Sequence, residues 1–343
     1  MTIKSLLIAS AAAFASVTAA QAADAVVAAE PEPMEYVRVC DAYGSGFFYI
    51  PGTETCLAIS GYVWYQVAAG TAGNWYEGWL TAVPGGWNKN VEARLNIDAR
   101  TETEWGTLRS YIRMQGDWYN TGGDGAVALD QAWLSIGGLR MGYSESAWVD
   151  TLVGGNSSWG SHTWSGLNYA YQQRAFIQYG FTGGNGVYGL LSLEQDNAGN
   201  YVPDVVALAG INQGWGGVWG RVAYDESAAG WAASVGAHFN IPNAEGSSLR
   251  LIGYYASNNN AYSVGSQWSI LGSYYHQFTP KFGASIGAQY FGGTNHYVSA
   301  ANSFLVEAGV VFTPVNNLEL RVEGTYDSGN DSIGGFARVT RYF

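Results

Sequence analysis

Six of the arginines in this 343-residue sequence, Arg94, Arg100, Arg109, Arg113, Arg140 and Arg174, fall in one stretch that also carries Glu92, Asp98, Glu102 and Asp117. A wall of guanidinium groups opposite acidic side chains sets up a transverse field that orients polar solutes and discourages apolar ones. The alternative is that these acids pair with the arginines along a plain water-filled interior. A second stretch, Ser146 to Gly166, sets Trp148, Asp150, Trp159 and Trp164 among Gly and Ser, with Glu145 just before it. Its acids are suited to setting an ion preference and an exposed Trp to stacking on a sugar; equally, the tryptophans can pin the segment or meet a neighbouring subunit. Catalysis finds little support. His162, His238, His276 and His296 are scattered, none has a Ser two residues along its strand as a barrel phospholipase requires, and no H-E-x-x-H or P-loop pattern occurs. Asp196-Asn197 and Asn258 to Asn260 read as solvated loop tips rather than calcium sites. The expectation is a protein that is not an enzyme and has no cofactor and no metal.

The elements that position these residues belong to an exported chain. Lys4 supplies a positive start, Ser5 to Ala19 is mostly apolar, and Ala20-Gln21-Ala22 has the small-x-small form of a cleavage site. The expected division is 1-22 signal peptide, 23-56 periplasmic N-terminal segment, and 57-343 barrel. An uncleaved anchor is disfavoured, because the stretch is short and is followed by acidic, Pro-containing sequence. Charged residues are only 12%, aromatics are 15% and Gly numbers 47, while mean hydropathy is −0.04. Disorder needs few aromatics and high charge, and a helical enzyme needs better helix formers than Gly and aromatics. The net charge of −12 without a basic tract argues against a nucleic-acid partner. After the leader no apolar run is long enough for a membrane helix, and the only other structure that satisfies its backbone in lipid is a closed barrel.

From about Leu57 onward side-chain character alternates with period two. Val91, Ala93, Leu95, Ile97 and Ala99 interleave with Glu92, Arg94, Asn96, Asp98 and Arg100, and Leu318 to Asp327 repeats the pattern. Seven short Gly, Pro or Asn turns and eight mostly longer connections separate sixteen strands. Short connections at one end and longer ones at the other mark an outer-membrane barrel. A secreted sandwich or propeller also alternates, but has no reason to place Trp231, Phe239, Tyr179, Phe181 and Tyr326 near strand ends, where barrels carry aromatic girdles. Sixteen strands leave a lumen that side chains alone do not fill.

The stretch Tyr36-Val-Arg-Val-Cys40 through Phe48-Tyr-Ile-Pro-Gly-Thr-Glu-Thr-Cys56 resembles the start of mature alphaproteobacterial porins of the rhizobial and brucella type. Gly137-Gly-Leu-Arg-Met-Gly142, Phe181-Thr-Gly-Gly-Asn-Gly186 and Pro203-Asp-Val-Val206 are similar to further blocks of that family, as is the terminal Phe343. The resemblance covers the chain and implies an all-β fold, a 16-stranded antiparallel transmembrane β-barrel with a lumen-folded third loop, assembled as a homotrimer. It implies a general-diffusion porin for small hydrophilic solutes, with outer-membrane lipid, lipopolysaccharide and the barrel assembly machinery as partners; an oligosaccharide-specific channel is the alternative. With Lys89 and Lys281 the only lysines after the leader, this sequence is poorer in charge than that family, which leaves its ion selectivity open.

On this reading the constriction draws on Arg94, Asp98, Arg100, Arg109, Arg113, Arg174, Glu145 and Asp150, with Trp148, Trp159 and Trp164 as loop aromatics. Cys40 and Cys56, the only cysteines, flank about 15 residues in an oxidising compartment, so a disulfide is expected, worth roughly 3 kcal/mol by loop closure; two unreactive thiols are the alternative. Phe343, sharing a face with Val339 and Ala337, resembles the terminal signal read during outer-membrane assembly, or serves only as part of a girdle.

Overall fold

Strict alternation gives each strand one apolar and one polar face, and a closed sheet sends one face to the outside and the other to an interior. The computed structural model describes residues 38–71, 87–119, 125–149, 160–196, 200–295 and 302–343, which excludes the leader, Asp150, Trp159 and His296. A two-residue strand, β1 (Phe48–Tyr49), precedes β2 (Cys56–Gly70), β3 (Asn88–Thr101), β4 (Leu108–Tyr119), β5 (Val127–Ile136), β6 (Leu139–Glu145), β7 (Gln173–Thr182) and β8 (Val187–Glu194). There follow β9 (Asp204–Gln213), β10 (Gly216–Asp225), β11 (Gly230–Asn240), β12 (Ser248–Ala256), β13 (Ser266–Thr279), β14 (Phe282–Asn295), β15 (Phe304–Val315), β16 (Leu318–Asp327) and β17 (Ser332–Tyr342).

Every strand from β2 onward pairs antiparallel with the next, and β17 returns to β2 in a register running from Gly334↔Gly70 to Tyr342↔Tyr62. The sheet is therefore a closed sixteen-stranded barrel. Fourteen of its fifteen connections contain Gly, Pro or Asn, the exception being Glu226 to Ala229. The third long connection differs in extent: it continues to Gln172 rather than ending at Gly166, because Leu167, Tyr169 and Ala170 are buried inside the barrel instead of opening a strand. The tight turns use residues that tolerate left-handed backbone, Asn185, Asn243 and Asn317 among them. Gly186 has φ +75° and a Cβ there would stand 1.8 Å from the Asn212 carbonyl oxygen, so only glycine fits.

Faces follow the alternation. On β11, Trp231, Val235 and Phe239 point outward and are exposed, whereas Ala232 and Ser234 point inward and are buried. One local break has consequences: Arg113 pairs with Gln131 but Met114 with Leu129, so Asp130 is an extra residue in β5. Such a bulge re-aims a side chain.

The disulfide between Cys40 and Cys56, with Cα atoms 5.9 Å apart, ties the leading segment to the start of β2. Phe47 buries against the two cysteines, with Tyr43, Tyr49 and Ala58 around it.

Candidate functional site

The interior is divided by the third loop. Its first turn is fixed by Glu194, which accepts hydrogen bonds from the Ser146 hydroxyl at 2.7 Å and the Ala147 N–H at 2.8 Å. Its returning limb lies against the inner wall through five consecutive residues. Arg250 of β12 donates to the Ser161 carbonyl at 3.1 Å. The His162 ring meets Ser273 of β13 at 2.7 Å and Ser248 of β12 at 2.8 Å. Thr163 and Ser165 donate to Glu307 of β15, and the Trp164 N–H donates to Glu323 of β16 at 2.8 Å. The Trp164 ring lies 4.3 Å from the Arg338 guanidinium of β17, whose other face meets Trp64 at 4.3 Å.

Burial follows this docking. Trp148, Leu167 and Tyr169 form one apolar cluster with Tyr188, Trp219 and Leu271, residues that project inward from the wall. The Trp148 ring packs 5.7 Å from Tyr262 and is fully buried. Trp148 therefore offers no free face, Trp164 is partly buried with its ring on Arg338, and Trp159 lies outside the described residues.

Burial, then the nearby charges of Arg250 and His238, hold the His162 imidazole down at about 3, so it is neutral at ordinary pH. Burial and the neighbouring Glu145 push the Tyr171 phenol up to about 12.

The other side of the lumen, β3 to β6, carries a second set of arginines, in addition to Arg221, Arg250, Arg321 and Arg338 on the docked side. Asp98 accepts from Arg100 at 3.1 and 2.7 Å and from Arg109 at 2.9 and 2.8 Å, so one carboxylate bridges two guanidinium forks. Arg100 stacks on Phe47 at 4.8 Å, which joins the disulfide-tied segment to the lumen wall. Arg109 lies 4.8 Å from the Trp133 ring and Arg140 lies 5.2 Å from it. Arg94 donates to Gln115 at 3.0 Å and sits over Tyr62 at 4.8 Å. Arg113 pairs with Asp130 and, at 3.5 Å, with Glu145 at the root of the third loop.

The structure thus brings Arg94, Asp98, Arg100, Arg109, Arg113 and Glu145 onto one side of the interior. Arg174 is not with them: it donates to Gln172 at 2.8 Å and to the Gln195 carbonyl at 2.9 Å, near the rim. Asp150 lies outside the described residues. Sequence alternation missed Asp130, because the bulge turns it inward, although the adjacent polar pair Asp130-Gln131 breaks the period there. It also missed Tyr171, a residue 41% exposed overall whose phenol is buried beside Arg113 and Glu145.

At the chain end, Phe343 exchanges two backbone hydrogen bonds of 3.0 Å with Gly61 and turns its ring outward. Gly283-Ala-Ser285-Ile-Gly287 has the spacing of a hydrolase nucleophile elbow, but that motif requires a strand-to-helix turn, and here it is the interior of β14.

Comparison with known proteins agrees with this architecture. A family model described as "Porin subfamily" matches residues 24–341. Porin Omp2b of Brucella suis biovar 1 (strain 1330) is 35% identical over 382 aligned residues, covering 100% of both chains, and Porin Omp2b of Brucella melitensis biotype 1 is also 35% identical over the full length of both. Among solved structures, the outer membrane channel DcaP of Acinetobacter baumannii aligns with a TM-score of 0.66 at 16% identity, covering 86% of this chain and 99% of its own. The trimer form of OmpT of Vibrio cholerae gives 0.60 at 11% identity, covering 85% and 100%. A triple mutant of the Rhodopseudomonas blastica porin gives 0.57 at 16% identity, covering 84% and 100%.

Proposed function

The chain belongs to the porin subfamily, and we infer from that premise how its lumen works: as a general-diffusion channel of the outer membrane for small hydrophilic solutes. Family membership makes it a channel rather than an enzyme. The observation that carries the mechanism is the division of the interior, with a loop docked on β12 to β17 and an arginine-bearing wall on β3 to β6 left facing it.

Passage then runs between the docked loop and that wall. Arg94, Asp98, Arg100, Arg109, Arg113 and Glu145, joined by Asp130 and Tyr171, contact the solute. Arg174 serves the rim, and Asp150 is assigned to the loop on sequence alone. Because Asp98 neutralises one of two arginines while Asp130 and Glu145 outweigh Arg113, the wall alternates in sign along the pore. A polar solute exchanges hydration for these fixed groups, whereas an apolar one gains nothing.

The working unit is a homotrimer. OmpT, which shares the fold, is described in a trimer form, and the outer surface here has a suitable sector. Strands β11, β14 and β15 carry exposed aromatics near both ends, Trp231 and Phe239, Phe282 and Tyr290, Phe304 and Phe312. The outward residues of β3, Val91, Ala93, Leu95, Ile97 and Ala99, include none. Aromatic girdles mark lipid; a small-residue sector suits contact with a second copy. The rest of the assignment rests on sequence: export by residues 1-22, a periplasmic segment over 23-56, Phe343 as the assembly signal, and contact with lipopolysaccharide and lipid.

The oligosaccharide-specific reading keeps one supporting observation, the partly exposed Tyr171. Trp148 and Trp164 are spent on holding the loop.

Reversal potentials of refolded protein in a planar bilayer under a salt gradient test the reading. We expect conductance in three equal steps and a selectivity that moves toward cations in Arg109→Ala/Arg113→Ala. Conductance with unmoved selectivity rejects the wall as the constriction, no conductance rejects the channel, and sugar-dependent block of the current favours the specific alternative.

A further inference from the structure

Arg100 is the last inward-facing residue of β3, and the groups that cover it do not come from the barrel wall. Its guanidinium lies 4.8 Å from the Phe47 ring and 5.5 Å from the Tyr43 ring. The two rings are themselves 5.8 Å apart and inclined at 59°. Both belong to the stretch between Cys40 and Cys56, ahead of the first barrel strand.

Three restraints fix where Phe47 stands. The Cys40 N–H donates to the Phe47 carbonyl at 2.9 Å, Phe48 and Tyr49 pair as β1 with Leu57 and Cys56, and the disulfide closes the stretch into a ring. Cys56 and Ala58 stand opposite Arg100 and Asp98 in the register of β2 and β3. The disulfide is therefore anchored on the inner face of the wall, and Phe47, only 8% exposed, is buried there with Tyr43, Tyr49 and Ala58 around it. The two acids of the same ring, Asp41 and Glu54, are exposed. What the ring presents to Arg100 is aromatic surface.

An aromatic face attracts a guanidinium without using up its charge or its N–H groups. Arg100 is thus held from one side while two of its N–H groups reach Asp98 at 3.1 and 2.7 Å. Asp98 also holds Arg109 at 2.9 and 2.8 Å, so it keeps a partner whether or not Arg100 stays. Without the rings Arg100 is a long side chain at a strand end, and an ion pair open to water holds such a chain only weakly. With them, two guanidinium groups share one carboxylate, and the group of three carries one net positive charge.

We propose that the disulfide-closed segment is a selectivity element of the channel, in which Phe47 and Tyr43 are positioning residues that hold the Arg100 charge against Asp98 inside the lumen. The solutes it favours are small anions, which meet the uncompensated guanidinium there. The proposal rests on the channel reading above and gives the segment a part in permeation that the barrel strands do not supply.

The test is the reversal potential of the full chain refolded in a planar bilayer under a KCl gradient, with substitutions that separate the packing of the ring from its aromatic face. Phe47→Leu keeps an apolar side chain against the disulfide and removes the aromatic face. It is expected to move the potential toward cation selectivity, in the direction of Arg100→Gln and by less, because loss of one exposed cation–π contact lowers the clamped population by roughly two- to fivefold. Phe47→Tyr should keep the wild-type potential, and Phe47→Leu added to Arg100→Gln should shift it no further. Should Phe47→Leu fail to fold, as judged by heat-modifiable migration, Tyr43→Leu is compared with Tyr43→Phe, which keeps the ring and loses the hydroxyl; only the leucine variant should shift the potential, and only while Arg100 is present. An Arg100→Gln channel with unmoved potential, leucine variants without effect, or an equal shift by the leucine variants in the Arg100→Gln background would each overturn the proposal while the channel stands. A wild-type chain that never conducts removes the channel reading and this proposal with it.

Discussion

Asp98 is the residue on which the charge balance of the arginine wall turns. It accepts both forks of Arg100 and Arg109, so Asp98→Asn leaves two guanidinium groups with no anion between them. The expected result is a reversal potential moved toward anion selectivity, opposite in sign to Arg109→Ala/Arg113→Ala; an unmoved potential would place the wall off the conduction path. His162 makes a second residue-level prediction. Its folded value of about 3 lies below the ordinary 6.5. Undocked segments therefore take up protons first as pH falls. The contribution of His162 to docking is complete above about pH 6.5, declines between there and about 3, and is flat below. Single-channel current noise should accordingly rise as pH is lowered from 7 to 4, and His162→Gln, which keeps hydrogen bonds to Ser248 and Ser273 without titrating, should remove that dependence.

Among the elements, the turns carry the strictest local requirement. Gly186→Val places a branched side chain at positive φ against the Asn212 carbonyl, a cost on the order of 1–3 kcal/mol. It should lower the urea midpoint of the folded barrel and leave single-channel conductance unchanged. This turn was legible in the sequence, as were all sixteen strands, because period two and turn residues are local signals. The inward placement of Arg94 and Arg113 was legible for the same reason. What alternation does not encode is where a long connection goes once it leaves the strand. Trp148 and Trp164 read equally well as open platforms or as anchors, and only their contacts with Tyr262 and Arg338 decide for anchors. The latch of Ser161 to Ser165 on Ser273, Glu307 and Glu323 joins residues more than a hundred positions apart, a relation without sequence period. Asp130 was hidden because an inserted residue resets the count that assigns faces.

At the scale of the whole molecule, the uneven girdle predicts how barrels associate. Ala93→Trp, on the sector without aromatics, should shift the folded protein from trimer to monomer in native electrophoresis, whereas Ile270→Trp on β13, between girdles, should not. Equal behaviour of the two would remove the assigned interface. The seam between β17 and β2 has a different kind of consequence, one of timing. Every other strand pair joins neighbours in the chain, but this pair joins residues some 270 positions apart, Arg338 with Gln66 for example, and contacts that distant form slowly. Until the last strand arrives, β2 and β16 each present a bare edge of unpaired backbone, the arrangement most prone to aggregate and least tolerable in lipid. The final strand, Ser332–Tyr342, is thus the barrel's closing stitch, and a chain lacking it would be left outside the membrane as an open, sticky sheet rather than inserted as a smaller pore.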